Sequence, residues 1–119
     1  MVRVLRDQPA FSRTVLLVKT VGTRTCRSHD VELWFVAKDS ALYFLAHKDS
    51  DWGKNIKANS KVEVRLGPKV YSGQGRIADE LRGEVFEMFR EKYGRSQIDY
   101  WYGEPKGDIR VVEIKIQDI

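Results

Sequence analysis

Cysteine is nearly absent from this chain. The single residue Cys26 can close no internal disulfide, so the fold must hold without covalent staples. That usage points to a reducing compartment, and the expected location is the cytoplasm. Long apolar runs are missing too: stretches such as Leu33 to Ala37 fall far short of the roughly 20 residues that span a bilayer. The opening residues, Met1-Val2-Arg3-Val4-Leu5-Arg6-Asp7, break up their apolar positions with charge, which argues against a secretory leader. There is no Gly-x-Ser-x-Gly elbow, no Walker loop and no dinucleotide fingerprint; Gly73-Gln74-Gly75 lies inside a strand-like run and lacks a third glycine. A closed zinc site wants four ligands, whereas Cys26, His29 and His47 offer three, so no metal is expected.

What is present describes one domain spanning residues 1–119. With 42% hydrophobic and 32% charged residues, the chain has the balance of a soluble globular protein. The formal charge of +4 is unevenly spread. Residues 1–78 hold 14 Lys and Arg against 7 Asp and Glu, while residues 79–119 hold 7 against 10. The first two-thirds should therefore meet an anionic partner, and the last third should supply packing or dimer surface. Charge alone leaves a phosphorylated cofactor, a nucleic acid and an acidic protein all open.

Hydrophobic spacing predicts six strands and two helices. Thr14 to Thr20 and Val31 to Ala37 read as the first two strands, with Leu42 to Ala46 returning across a Lys38-Asp39-Ser40 turn as a buried, central hairpin. A short helix should follow, capped by Asp49 or Ser50, with Trp52 and Ile56 one turn apart. Lys61 to Leu66 alternates strictly, and Val70 to Ile77 carries Gly73 and Gly75, the sign of a bulge or a close backbone approach. A helix from Asp79 to about Tyr93 presents Leu81, Val85, Met88 and Phe89 on one stripe and stops at Gly94. Val111 to Ile116 closes the chain. This order suits a small antiparallel barrel with helices at its ends, and it does not suit a doubly wound sheet.

The polar loop Val21 to Asp30 is the chemical centre of this reading. Gly22 permits a tight turn, Arg24 and Arg27 bring charge, and Thr23, Thr25 and Ser28 bring hydroxyl donors. Such a set suits a phosphate or another small anion. A solvated basic hairpin loop would have the same composition.

The stretch Thr20-Val21-Gly22-Thr23-Arg24-Thr25 before Val31-Glu32-Leu33-Trp34-Phe35 carries a resemblance. So do Leu45-Ala46-His47, Ser50-Asp51-Trp52, Lys54-Asn55-Ile56, Ala58-Asn59 and Val62-Glu63-Val64. Together they resemble the flavin-binding split β-barrel superfamily, and within it the deazaflavin-dependent nitroreductase and quinone reductase group and small pyridoxamine-phosphate-oxidase-like proteins. The resemblance implies a homodimeric, six-stranded split barrel that binds FMN or the related deazaflavin coenzyme. It implies hydride transfer to a small organic acceptor such as a quinone or nitro compound. Arg24 and Thr25 inherit a phosphate role from the family loop Gly-Arg-Lys-Ser-Gly, whose first Arg is Thr23 here. Lys48, Lys54 and Asn55 match the second cofactor-contacting segment. The backbone of Val31, Glu32 and Leu33 matches the edge on which the ring lies.

Trp101 or Tyr102 could line an acceptor pocket, although aromatic clusters also pack interfaces. His29 and His47 read as polar-rim residues. No side chain stands out as an obligatory acid or base, which is acceptable where a cofactor makes and breaks the bonds. Two rivals remain: a flavin carrier or sensor of the same fold, and a nucleic-acid-binding small barrel. The cations lie in cofactor-matching loops without the aromatic interleaving of a single-strand platform, which disfavours the second.

Overall fold

The computed structural model describes residues 15–21, 28–47, 54, 56, 60–66, 69–103 and 109–116. Among them are seven strands: β1 (Val15–Val21), β2 (Ser28–Trp34), β3 (Val36–Lys38), β4 (Ala41–His47), β5 (Lys61–Leu66), β6 (Lys69–Ile77) and β7 (Ile109–Ile116). Between β6 and β7 come a single 3-10 turn (Asp79–Leu81) and two helices, α1 (Arg82–Tyr93) and α2 (Arg95–Tyr102). None of the described helices is long and apolar enough to cross a membrane. The strands form one antiparallel sheet in the order β2-β1-β5-β6-β7-β4-β3.

That order has a geometric consequence. β2 and β3 are the two outer edges of the sheet, yet only Phe35 separates them along the chain. From Trp34 to Val36 the backbone can reach about 7 Å. The sheet must therefore curl until its edges meet at that corner. It is a barrel joined through one residue, and no β2–β3 ladder closes the seam among the described residues.

Two expectations need correcting here. The sheet has seven strands where six were expected, because the predicted strand Val31 to Ala37 breaks at Phe35 into β2 and β3. Nor is the β3–β4 hairpin central in the sheet: β3 is an edge and β4 its neighbour. β4 is nonetheless buried on both faces. Its Leu42 and Phe44 point into the barrel with Val18, Val64, Val112 and Ile114. Its Tyr43 and Leu45 point outward under Val85, Phe86 and Phe89 of α1 and Ile98 of α2. Helical cover, rather than sheet position, makes this strand apolar on both sides. By contrast, no helix among the described residues lies over β5. Val62 and Val64 are buried and Lys61, Glu63 and Arg65 exposed, which is the alternation its sequence predicts.

The helical stripe is close to its expected form. Val85, Phe86 and Phe89 are buried, with Leu81 and Met88 packed beside them. Gly94, at φ 96°, ends α1 in a conformation that a side chain would strain, and α2 begins at the next residue. Arg90 ties the two helices together, reaching Glu87 at 2.7 Å and Asp99 at 3.1 Å.

On the outer face of the sheet, Tyr43, Glu113 and Arg76 form a cross-strand row. The buried Glu113 carboxylate accepts from the Tyr43 hydroxyl and from Arg76 Nε, each at 2.9 Å, while Arg76 also reaches Glu80. The expected close approach at the glycines is present. A Cβ on Gly73 would stand 2.7 Å from Ile114 Cγ2, and one on Gly75 would stand 2.8 Å from Ile56 Cγ2. The ladder runs through both without a bulge.

Candidate functional site

The corner at Phe35 is where the chain departs most from regular sheet. Phe35 lies outside every ladder, and its ring is fully buried in the barrel interior. A buried backbone N–H and C=O need partners. The Tyr93 hydroxyl serves both, accepting from Phe35 N at 2.9 Å and donating to Phe35 O at 2.9 Å. Lys92 Nζ donates to the same carbonyl at 2.8 Å and sits 3.6 Å from the centre of the Phe35 ring. Next to it, Trp34 stacks on Tyr93 with centroids 4.6 Å apart and planes within 8°. Burial pushes the Lys92 ammonium down to about 8 and the Tyr93 phenol up to about 12. The carbonyl and ring face of Phe35 act the other way on Lys92, since both favour its charged form.

From this corner a continuous run of aromatic contacts crosses the outer core. Trp34 meets Tyr93, Tyr93 meets Phe89 at 5.6 Å, Phe89 meets Tyr102 at 6.3 Å, and Tyr102 meets His47 at 5.8 Å. The end of β2 is thereby coupled through packed rings to the end of β4, where residues 48–53 begin.

β2 itself is an edge strand. Its register on β1 sets Val31 opposite Val18, Glu32 opposite Leu17 and Leu33 opposite Leu16. Among the described residues its other side carries no ladder, so alternate backbone donors and acceptors along Val31–Leu33 face away from β1. At the far end of the hairpin, Val21 pairs with Ser28, and these two bracket residues 22–27. Continuing the β1–β5 register puts Val21 opposite Lys61, which pairs with Gln74. Beside Gln74, Gly75 N donates to Ser60 O at 2.7 Å, and Ile56 seats on Gly75. Two strand spacings, roughly 10 Å, thus separate the root of the 22–27 loop from the segment that carries Lys54 and Ile56.

The candidate residues are distributed unevenly over this frame. Arg24, Thr25, Lys48 and Asn55 lie outside the described residues, as do Trp52, Asp49 and Ser50. Val31, Glu32 and Leu33 lie on an outer edge of the described sheet. Lys54 is helical and exposed, two residues before the buried Ile56 that anchors its segment in the barrel. Tyr102 is half-buried, with its phenol pushed up by burial, and it packs against Phe89 and His47. Trp101 is 57% exposed and stands edge-on to Tyr100, itself 79% exposed. Tyr102 is therefore held by packing, whereas Trp101 is largely exposed.

Sequence reasoning missed Lys92 and Tyr93. Of the two, only Tyr93 enters the reading of the sequence, as the approximate end of the helix. A usable signal was the seven-residue run Val31 to Ala37 opposite a five-residue partner, which is too long for one strand of that hairpin.

The sequence model of the F420H(2)-dependent quinone reductase family matches residues 6–112. The chain belongs to that family. It is a family of oxidoreductases, and its model covers β1 through the first half of β7. No curated protein sequence matches the chain significantly. Solved structures share the fold at low identity. HutZ, the heme storage protein from Vibrio cholerae, superposes with a TM-score of 0.77 at 16% identity, over 98% of this chain and 92% of its own. A candidate pyridoxamine 5′-phosphate oxidase from Listeria innocua gives 0.70 at 14% identity, over 92% and 88%. An F420-H2 dependent reductase, FDR-A, gives 0.69 at 24% identity, over 87% and 95%. The curled sheet described above is thus the split barrel of the pyridoxamine-phosphate-oxidase-like proteins.

Proposed function

We propose that this chain is a deazaflavin-dependent reductase of quinones or similar acceptors, working as a homodimer. The reading is carried by the family match over residues 6–112, taken together with a β2 edge that no strand occupies among the described residues. The family description favours the deazaflavin coenzyme over FMN. Both would offer a negatively charged tail and a flat tricyclic ring.

The residues suit those two parts. Lys54 is an exposed cation on a segment seated about two strand spacings from the root of the 22–27 loop. Arg24, Thr25, Lys48, Lys54 and Asn55 hold the tail by charge and donor count, since charge-assisted bonds to phosphate oxygens are the strong ones. The outward-facing peptide groups of Val31, Glu32 and Leu33 bind and orient the ring. When bound, the reduced coenzyme supplies a hydride. The acceptor takes that hydride and one proton from solvent, so a quinone leaves as a hydroquinone. Trp101 offers a flat apolar face to the acceptor, and Tyr102 holds the last turn of α2 in place.

The test is anaerobic mixing of the purified protein, the reduced deazaflavin coenzyme and a water-soluble quinone. Return of the oxidised coenzyme's absorbance, faster than without protein, is expected. Tight binding without acceleration would identify a carrier instead, and preference for FMN in competition would overturn the coenzyme assignment.

A further inference from the structure

We propose that Lys92 and Tyr93 are positioning residues for the coenzyme ring, because they clasp Phe35 and so fix the outer β2 edge at Val31–Leu33. The inference rests on the functional reading above. An edge strand is held by a ladder on one side only, so its pitch depends on how its ends are pinned. One end of β2 is the Val21–Ser28 pair. The other is Phe35, two residues past Leu33, where the chain leaves the β1 ladder to become β3.

There the clasp is stoichiometric. One phenol satisfies both peptide groups of Phe35, its lone pair taking the N–H and its proton going to the C=O. The stack of Trp34 on Tyr93 stops the phenol from swinging away. The helix that carries it is anchored in its turn, by Phe89 in the outer core and by Arg90 bonded to Asp99 of α2.

Lys92 exceeds what stability alone requires. The Phe35 carbonyl already has the Tyr93 donor, and a half-buried ammonium is a costly second one. A carbonyl held from two directions has a fixed plane, and the peptide plane at Phe35 sets the direction in which β2 ends. Those two donors therefore act on the coenzyme only through the strand.

The test compares four variants of the full-length protein: Tyr93→Phe, Lys92→Met, Lys92→Arg and, as a control, Val85→Ala. Val85 is buried on the same helix in the outer core and is not among the residues that bond to Phe35. The oxidised deazaflavin coenzyme is titrated by fluorescence, and thermal midpoints are recorded without it. Tyr93→Phe and Lys92→Met should each bind about tenfold more weakly, the size expected for a lost hydrogen bond. Lys92→Arg keeps a donor and should recover most of that loss. Val85→Ala should melt earlier yet bind like wild type. If affinity instead follows thermal midpoint across all four, the clasp is merely structural and the inference is overturned. Should Tyr93→Phe fail to fold, the Lys92 pair decides alone. A wild-type protein that binds neither deazaflavin nor FMN overturns the functional reading, and the inference falls with it.

Discussion

Raising the pH from 7 to 9.5 should stabilise this protein, and Lys92 should account for the gain. Its amine is lowered from an ordinary 10.5 to about 8 by burial. In the window between those values the unfolded chain holds the proton more often than the folded one, so stability rises with pH there. Below about 8 the folded protein carries the full cost of a half-buried charge. Taken at face value a shift of that size is worth about 3 kcal/mol at neutral pH, of which about 2 would be recovered by pH 9.5. Because the amine is only half-buried, solvent screening reduces the recoverable part to about 1 kcal/mol. Urea unfolding at both pH values reads this directly, by comparing wild type with Lys92→Met. Wild type should gain about 1 kcal/mol over the interval relative to the variant. Lys92→Met should be at least as stable as wild type at pH 7, since it removes the charge and keeps the stem. Identical pH dependence in the two proteins would refute the assignment. The upper limit of pH 9.5 avoids Tyr43 and Tyr93, both raised to about 12, whose contributions are intact below 10 and are lost as pH climbs through 12.

Glu113→Ala should cost about 2–3 kcal/mol in chemical denaturation. It strands the buried Tyr43 hydroxyl, while the half-exposed Arg76 falls back on Glu80 and water. Gly73→Ala should cost about 1–3 kcal/mol, because its Cβ would press on the Lys115 carbonyl at 2.8 Å, which is backbone and yields little. Gly83→Ala, with nothing within 4 Å and a place in the first turn of α1, should instead stabilise by about 0.5 kcal/mol; a thermal melt ranks the pair. Trp101→Ala should leave stability within about 0.5 kcal/mol, given its exposure, and should raise the KM for the quinone without weakening coenzyme affinity.

How far the sequence discloses the fold differs from strand to strand, for physical reasons. β5 could be read at once, because Lys61, Glu63 and Arg65 are exposed and its residues alternate as a half-buried strand must. β4 could be located but not placed in order. Burial on both faces erases the alternation that would say which side meets a helix, and an all-apolar strand looks central wherever it lies. The break at Phe35 was hidden for a related reason. Leu33-Trp34-Phe35-Val36-Ala37 is uniformly apolar, so nothing in its pattern marks the one residue whose peptide groups leave the ladder. Only the partners in α1, some 58 residues away, show it.

The same contrast governs the site. Lys54 and the β2 backbone are candidates through the family resemblance alone, which short runs of consecutive residues carry. Lys92 and Tyr93 act on β2 by touching its last peptide groups, and no local pattern encodes a contact between a helix end and a strand corner. Tertiary contact also separates the two aromatic candidates, which the sequence offered as equivalents. Trp101 and Tyr102 are neighbours on α2, yet successive helical residues point about 100° apart. Tyr102 turns in to Phe89 and His47, and Trp101 turns out beside Tyr100. An acceptor contact should therefore belong to Trp101, with Tyr102 felt only through the position of the helix. Removing the Tyr102 hydroxyl should leave quinone turnover nearly unchanged, whereas removing its ring should disturb both Phe89 and His47. A Tyr102→Phe variant with the turnover loss of Trp101→Ala would show that the hydroxyl reaches the acceptor after all.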